Sequence, residues 1–154
     1  MNLLSRIFNI FIAIILLLIS FPVLLLACLF ILIFDGYPLF FTQKRVGKFN
    51  TDFKLYKLRT MKIDAPEVAS HLLSSPKNHF TKTGKFLRKY SIDELPQLIN
   101  IIRGEMNFIG PRPALYNQSD LIAIRKELGI DQLSPGVTGW AQINGRDNIS
   151  IENK

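Results

Sequence analysis

The hydrophobic pattern divides the chain into one unbroken apolar run and a longer mixed remainder. Residues 7–34, IFNIFIAIILLLISFPVLLLACLFILIF, carry no charged side chain. As a helix the run would be about 42 Å long against a hydrocarbon core of about 30 Å, long for one span and short for two. Pro22, near its middle, removes a backbone donor and frees the Leu18 carbonyl, which predicts a kink. Ser20 is close enough to return a hydrogen bond to the opened backbone. Beyond Pro38 the pattern changes. Leu39, Phe40 and Phe41 lead into turn residues over Gly47–Asp52, and Phe53–Met61 returns, predicting a β-hairpin. Apolar positions 53, 55, 56, 58 and 61 suit a strand or a helix. Residues 64–80 are polar, with a short helix predicted at Glu67–Leu73. Leu95, Leu98, Ile99 and Ile102 recur at helical spacing, and Gly104 is placed to end that helix. Ser119–Leu128 predicts another, with Ser119 as cap, Leu121, Ile124 and Leu128 inward, Arg125, Lys126 and Glu127 toward solvent, and Gly129 as stop.

The predicted fold class is α+β: an N-terminal membrane helix, then a small, mostly helical domain carrying a β-hairpin. The predicted boundary separates residues 1–36, membrane-embedded, from residues 37–154, a catalytic domain on the cytoplasmic side. Arg6 precedes the apolar run, and Lys44, Arg45 and Lys48 follow it. Positive charge on both flanks fits a re-entrant helix that bends at Pro22 and returns to the same face, and a tilted single span is the simpler alternative. Leu25-Leu26-Ala27-Cys28 has the look of a lipoprotein cleavage box, but apolar sequence continues to Phe34.

Charge sharpens the picture. From Asp35 onward there are 18 basic against 12 acidic residues, a net +6. That suits anionic headgroups or phosphorylated substrates, and no nucleic-acid recognition motif accompanies it. Cys28 is the only cysteine, so an internal disulfide is excluded. His71 and His79 lie in the polar stretch without a partner motif.

The candidate chemistry centres on RKYSIDELPQLINIIRGEMNFIGPRP, residues 88–113. Asp93 and Glu94 are adjacent acids framed by Lys85, Arg88 and Lys89 before and Arg103 and Arg112 after. Cations that neutralise phosphates, beside an oxyanion that attacks or holds a metal, suit chemistry on a phosphate ester. Ser91-Ile92-Asp93-Glu94 also fits an S-x-x-E capping box, and both readings can hold. Prolines on either side of Arg112 stiffen the loop that carries it. Seven basic residues lie from Lys44 to Lys62, with Lys57 and Arg59 best placed as a phosphate platform. Ser134–Asp147 packs three glycines around Trp140, a loop suited to close backbone approach to a ligand, with Trp140 read as core.

Together, FTQKRVG (41–47), FKLYKLRTM (53–61), LRKYSIDELPQLINIIRGEMNFIGPRP (87–113) and PGVTGWAQINGR (135–146) resemble the bacterial sugar transferases, the monotopic polyprenyl-phosphate phosphoglycosyl transferases. The resemblance implies a protein of the bacterial cytoplasmic membrane. It would move a sugar phosphate from a UDP-sugar to undecaprenyl phosphate, giving a polyprenyl diphosphosugar and UMP at the start of a surface glycan. It implies Asp93 as covalent nucleophile, Glu94 with Asp93 as holders of Mg2+, and Lys57, Arg59, Arg88, Arg112, Gln142 and Arg146 as substrate-binding. It also implies a re-entrant helix with its kink at Ser20 and Pro22. Phe21 intervenes between these two, and Ser134 stands where many relatives have a basic residue before the proline. The family continues past the NGR segment with a further acidic, tyrosine-containing stretch, whereas the chain reads as C-terminally short at Lys154. The alternative from another class is a non-catalytic membrane-surface protein that binds anionic lipid or a partner through its basic face.

Overall fold

The computed structural model describes residues 3–66 and 79–144. The expected helix at Glu67–Leu73, His71 and Arg146 lie outside them.

The apolar run forms α1 (Leu3–Phe34), 32 residues with Pro22 inside. It is long and apolar enough to cross a membrane. The Ser20 hydroxyl donates to the Leu17 carbonyl at 3.4 Å, one residue before the carbonyl that Pro22 frees. Only a narrow stripe of α1 is covered. Ala13, with Leu17, packs against Phe53, Leu55, Leu98, Ile101 and Met106. Ala27 and Ile31, with Leu24 and Cys28, pack against Leu58 and Leu87. Most of the remaining helix surface is apolar and exposed, the pattern of a helix whose remaining faces meet something other than water.

Both ends of α1 are tied to the domain that follows. Arg6 donates to the Ile101 and Ile102 carbonyls at 2.6 and 2.9 Å. At the other end the Asp35 carboxylate accepts from the backbone N–H of Lys82 and Thr83, at 2.8 and 3.2 Å, and from the Thr83 hydroxyl.

The hairpin is β1 (Phe40–Val46) against β2 (Asp52–Leu58), paired from Phe40 with Leu58 to Val46 with Asp52. Residues 53–58 are therefore strand, and Phe53, Leu55 and Leu58 are buried. After Arg59 the chain reaches α2 (Gly84–Lys89) and a 3-10 turn at Ile92–Glu94. The capping box does not form: Ser91 adopts φ 55° and makes no side-chain cap. The helix that follows, α3 (Gln97–Arg103), starts only after Pro96. Its inward face differs from the expected stripe. Leu98 and Ile101 are buried, while Ile99 is exposed and Asn100 is fully enclosed. Asn100 donates to the Lys54 carbonyl at 2.7 Å and to Glu105 at 2.6 Å, and accepts from the Tyr56 N–H at 3.1 Å. Three bonds offset the cost of enclosing its amide. Gly104 ends α3 at φ 90°, as its position predicts.

Then come β3 (Asn107–Ile109), β4 (Ala114–Leu115), α4 (Ser119–Glu127), β5 (Gly136–Thr138) and α5 (Trp140–Ile143). The sheet order is β2-β1-β4, and β3 pairs with β5 in parallel. Sheet and helix thus share the domain more evenly than the mostly helical expectation. Three expectations for α4 fail. Ser119 makes no cap, and Leu128 is exposed while Arg125, expected in solvent, is only 8% exposed. Trp140, expected in the core, is 70% exposed.

Candidate active site

β2, the 3-10 turn, α2 and the loop before β4 converge on a cleft of about 380 Å³. Lys57, Arg59, Arg88, Asp93, Glu94 and Arg112 all line it. The left-handed backbone at Ser91 separates α2 from the acidic turn and so directs Asp93 inward. Asp93 is 3% exposed. Burial pushes its carboxyl above the ordinary range, with Glu94 adding to the rise while Lys57 and Arg88 oppose it. Lys57 Nζ lies 2.7 Å from Glu94 Oε1. Burial draws the Lys57 ammonium below its usual value, and Glu94 and Asp93 hold it up. The two acids and the lysine form one coupled unit.

Arg88 reaches the cleft from α2. Its Nε donates to the Thr60 hydroxyl at 2.9 Å, and its guanidinium lies 4.9 Å from the centre of the Phe80 ring. Arg112 also lines it, on the Pro111-Arg112-Pro113 loop. Three elements hold that loop by its carbonyls. Gly136 N–H donates to Pro111 at 3.0 Å, Arg125 to Arg112 at 2.7 Å, and Arg45 to Pro113 at 2.9 Å.

The structure brings Asp93, Glu94, Lys57, Arg88 and Arg112 together, and treats the other expected residues differently. Arg59 lines the cleft, but its terminal nitrogens donate to the carbonyls of Asp35, Gly36 and Tyr37 at 2.6, 2.6 and 2.9 Å. It holds the turn that leaves α1. Gln142 is not part of the cleft wall; its amide donates to the Val137 carbonyl at 3.3 Å. Gly136 and Gly139, at the start of β5 and just after it, serve backbone packing. A Cβ on Gly136 would lie 2.1 Å from the Gly110 nitrogen, so β5 approaches β3, where a ligand was expected. Gln43, Arg45 and Arg125 line the cleft without having been singled out. For Arg125 the available signal is its place four residues after the buried Leu121, on the inward side of α4.

Among the described residues no group of three or more His, Cys, Asp or Glu could enclose a metal. The adjacent carboxylates of Asp93 and Glu94 suit the alternative mode of Mg2+, in which one or two carboxylates share the ion with substrate phosphates and water. A phosphate-bearing ligand would find both requirements in this cleft: cations and two carboxylates among the residues that line it.

Comparison with known proteins agrees. The profile of the bacterial sugar transferase family matches residues 1–154. The uncharacterized sugar transferase EpsL of Bacillus subtilis is 42% identical over 151 residues, covering 98% of this chain and 73% of that one. The UDP-glucose:undecaprenyl-phosphate glucose-1-phosphate transferase of Escherichia coli is 37% identical over 146 residues, 94% of this chain and 32% of its own length. A putative undecaprenyl-phosphate N-acetylgalactosaminyl 1-phosphate transferase of Bacillus subtilis is 42% identical over 109 residues, 71% of this chain and 61% of its own. On the strength of the match along its whole length, the chain belongs to the bacterial sugar transferase family.

Proposed function

We propose that this chain transfers a sugar phosphate from a UDP-sugar to undecaprenyl phosphate, giving a polyprenyl diphosphosugar and UMP. The observation that carries the reading is one buried carboxylate, Asp93, in an open cleft among Lys57, Arg88 and Arg112. The donor class and the acceptor follow those of the Escherichia coli relative, a UDP-glucose:undecaprenyl-phosphate glucose-1-phosphate transferase.

In the first half-reaction an Asp93 carboxylate oxygen attacks the sugar-bearing phosphorus. The bond from that phosphorus to the bridging oxygen breaks, and the electron pair leaves with UMP. Asp93 then carries the sugar phosphate as an acyl phosphate. In the second, an oxygen of undecaprenyl phosphate attacks the same phosphorus, and the bond to Asp93 breaks to restore the carboxylate. Burial leaves the ionised carboxylate poorly solvated and reactive, while Lys57 and Arg88 favour its ionised form. Arg112 and Arg88 would hold the diphosphate, as planar arginine forks do. Asp93 and Glu94 would hold Mg2+, which when bound supplies charge against the diphosphate and the departing UMP.

The same reading makes α1 re-entrant, with the domain on the cytoplasmic side where nucleotide sugars are made. Support comes from its two ends: Arg6 and Asp35 both bond to the same domain. In a spanning helix they would lie on opposite faces of the bilayer. In a Cys28→Ser background, Leu3→Cys and Tyr37→Cys should both be protected from an impermeant maleimide outside intact cells. Labelling of one alone would mean a span.

The test of function is UMP release by membrane-reconstituted protein with Mg2+, undecaprenyl phosphate and a panel of UDP-sugars. Release with a particular donor, lost in Asp93→Asn, is expected. Full activity in that variant would remove Asp93 as nucleophile. Binding to anionic vesicles without release from any donor would favour the non-catalytic surface protein.

A further inference from the structure

The Pro111-Arg112-Pro113 loop poses a problem that the rest of the cleft solves in an unusual way. Neither proline has an N–H, so the loop has little means of joining a strand ladder. Its three carbonyls still need donors, and each finds one on a different element: Gly136 on β5, Arg125 on α4 and Arg45 on β1.

Two of those donors are whole guanidinium groups. Arg125 is 8% exposed, and burial lowers its pKa. Enclosing a full positive charge opposes folding, and an apolar residue beside Leu121 would pack there without that cost. Arg45 is itself oriented: its Nε and one terminal nitrogen donate to Gln43 Oε1 at 3.1 and 2.7 Å, and the other terminal nitrogen goes to Pro113. Packing alone does not account for two arginines aimed at adjacent carbonyls of one loop. Fixing Arg112 does. With its own carbonyl and those on both sides tied, and with proline φ angles flanking it, the Arg112 backbone is set from three elements at once.

We propose that Arg125 and Arg45 are positioning residues for the donor half-reaction, acting through Arg112 by clamping the loop that presents it. The inference rests on the transferase reading above and adds the residues that preorganise its phosphate contact. Both arginines also line the cleft, so the test must separate positioning from direct contact.

A double-mutant cycle does so. UMP release and equilibrium binding of UDP are measured for membrane-reconstituted wild type, Arg125→Met, Arg112→Ala and the double variant, and in parallel with Arg45→Met. Arg125→Met should lower kcat/KM by about 10- to 100-fold, the range for a misplaced binding group, with Arg125→Lys recovering part of it. On the Arg112→Ala background the same change should have almost no further effect, because the residue it positions is gone. An equal loss on both backgrounds would mean direct contact or general structural damage, and overturns the proposal. If Arg125→Met does not fold, as judged by its thermal midpoint, the Arg125→Lys and Arg45→Met cycles decide. If wild type releases no UMP, the transferase reading fails and the UDP-binding cycle still decides the positioning claim. A wild-type chain that neither turns over nor binds UDP overturns both.

Discussion

Lys57 and Glu94 meet at 2.7 Å in the cleft wall, and Asp93 adjoins Glu94 in the same turn. The lysine therefore serves two carboxylates: one it bonds, and in the other it opposes the rise in pKa that burial causes. Replacing Lys57 by Met removes that support, and the Asp93 carboxyl should rise further. Turnover should fall by about 10²-fold or more, the usual loss for a buried electrostatic partner. The acid limb of the kcat/KM profile should move to higher pH. A lower rate with an unmoved acid limb would show that Lys57 does not act on Asp93.

Asp93 makes a second, thermodynamic prediction. Its folded-state pKa is raised above the unfolded value. Between the two values the native state binds more protons than the unfolded state, so this group's contribution to stability falls as pH rises. Asp93→Asn removes the buried charge and should raise the thermal midpoint at pH 7. That gap should close below about pH 4, where the unfolded carboxyl is protonated as well. A midpoint lower than wild type at pH 7 would sink the prediction.

Arg59 separates an anchor from a substrate ligand. Its donors go to the Asp35, Gly36 and Tyr37 carbonyls. Lysine cannot reproduce that fork, and each lost charged bond costs about 1.5–3 kcal/mol. Arg59→Lys should lower the unfolding midpoint and leave KM for the donor unchanged. A raised KM at unchanged stability would make Arg59 a substrate contact instead.

Asn100 is a buried polar residue that joins α3 to β2. Asn100→Leu keeps similar volume but strands the Tyr56 N–H and the Lys54 carbonyl. At about 1–3 kcal/mol for each buried unsatisfied group, the loss should be about 2–6 kcal/mol in denaturant unfolding. A change below 1 kcal/mol would mean that water reaches those groups.

What the sequence discloses follows from how local each cause is. The apolar run, the hairpin and the stop at Gly104 depend on near neighbours, and all appear where the pattern places them. Asp93, Glu94, Arg88 and Arg112, which line one cleft, are legible as a cluster because acids and cations crowd one short stretch. The errors arise where a distant partner decides. Arg125 is buried because a carbonyl from the Pro-Arg-Pro loop meets it. Asn100 is enclosed in place of Ile99 because β2 offers it two backbone partners and Glu105 a third. Ser91 leaves its capping role because a left-handed residue is what separates α2 from the acidic turn. Gly136 and Gly139 carry no mark in the sequence of whether ligand or backbone will fill the space they leave; here Gly110 fills it.

The stripe of α1 that meets the domain has a practical consequence. Ala13, Ala27 and Ile31 fill holes that the domain cannot close by itself, and Arg6 and Asp35 latch both ends. The helix is thus a layer of the folded unit and cannot be exchanged like a tether. Cutting the chain after Phe34 to obtain a soluble catalytic fragment would strip two patches of core. Grafting an unrelated hydrophobic helix in its place would restore lipid affinity and leave those patches open.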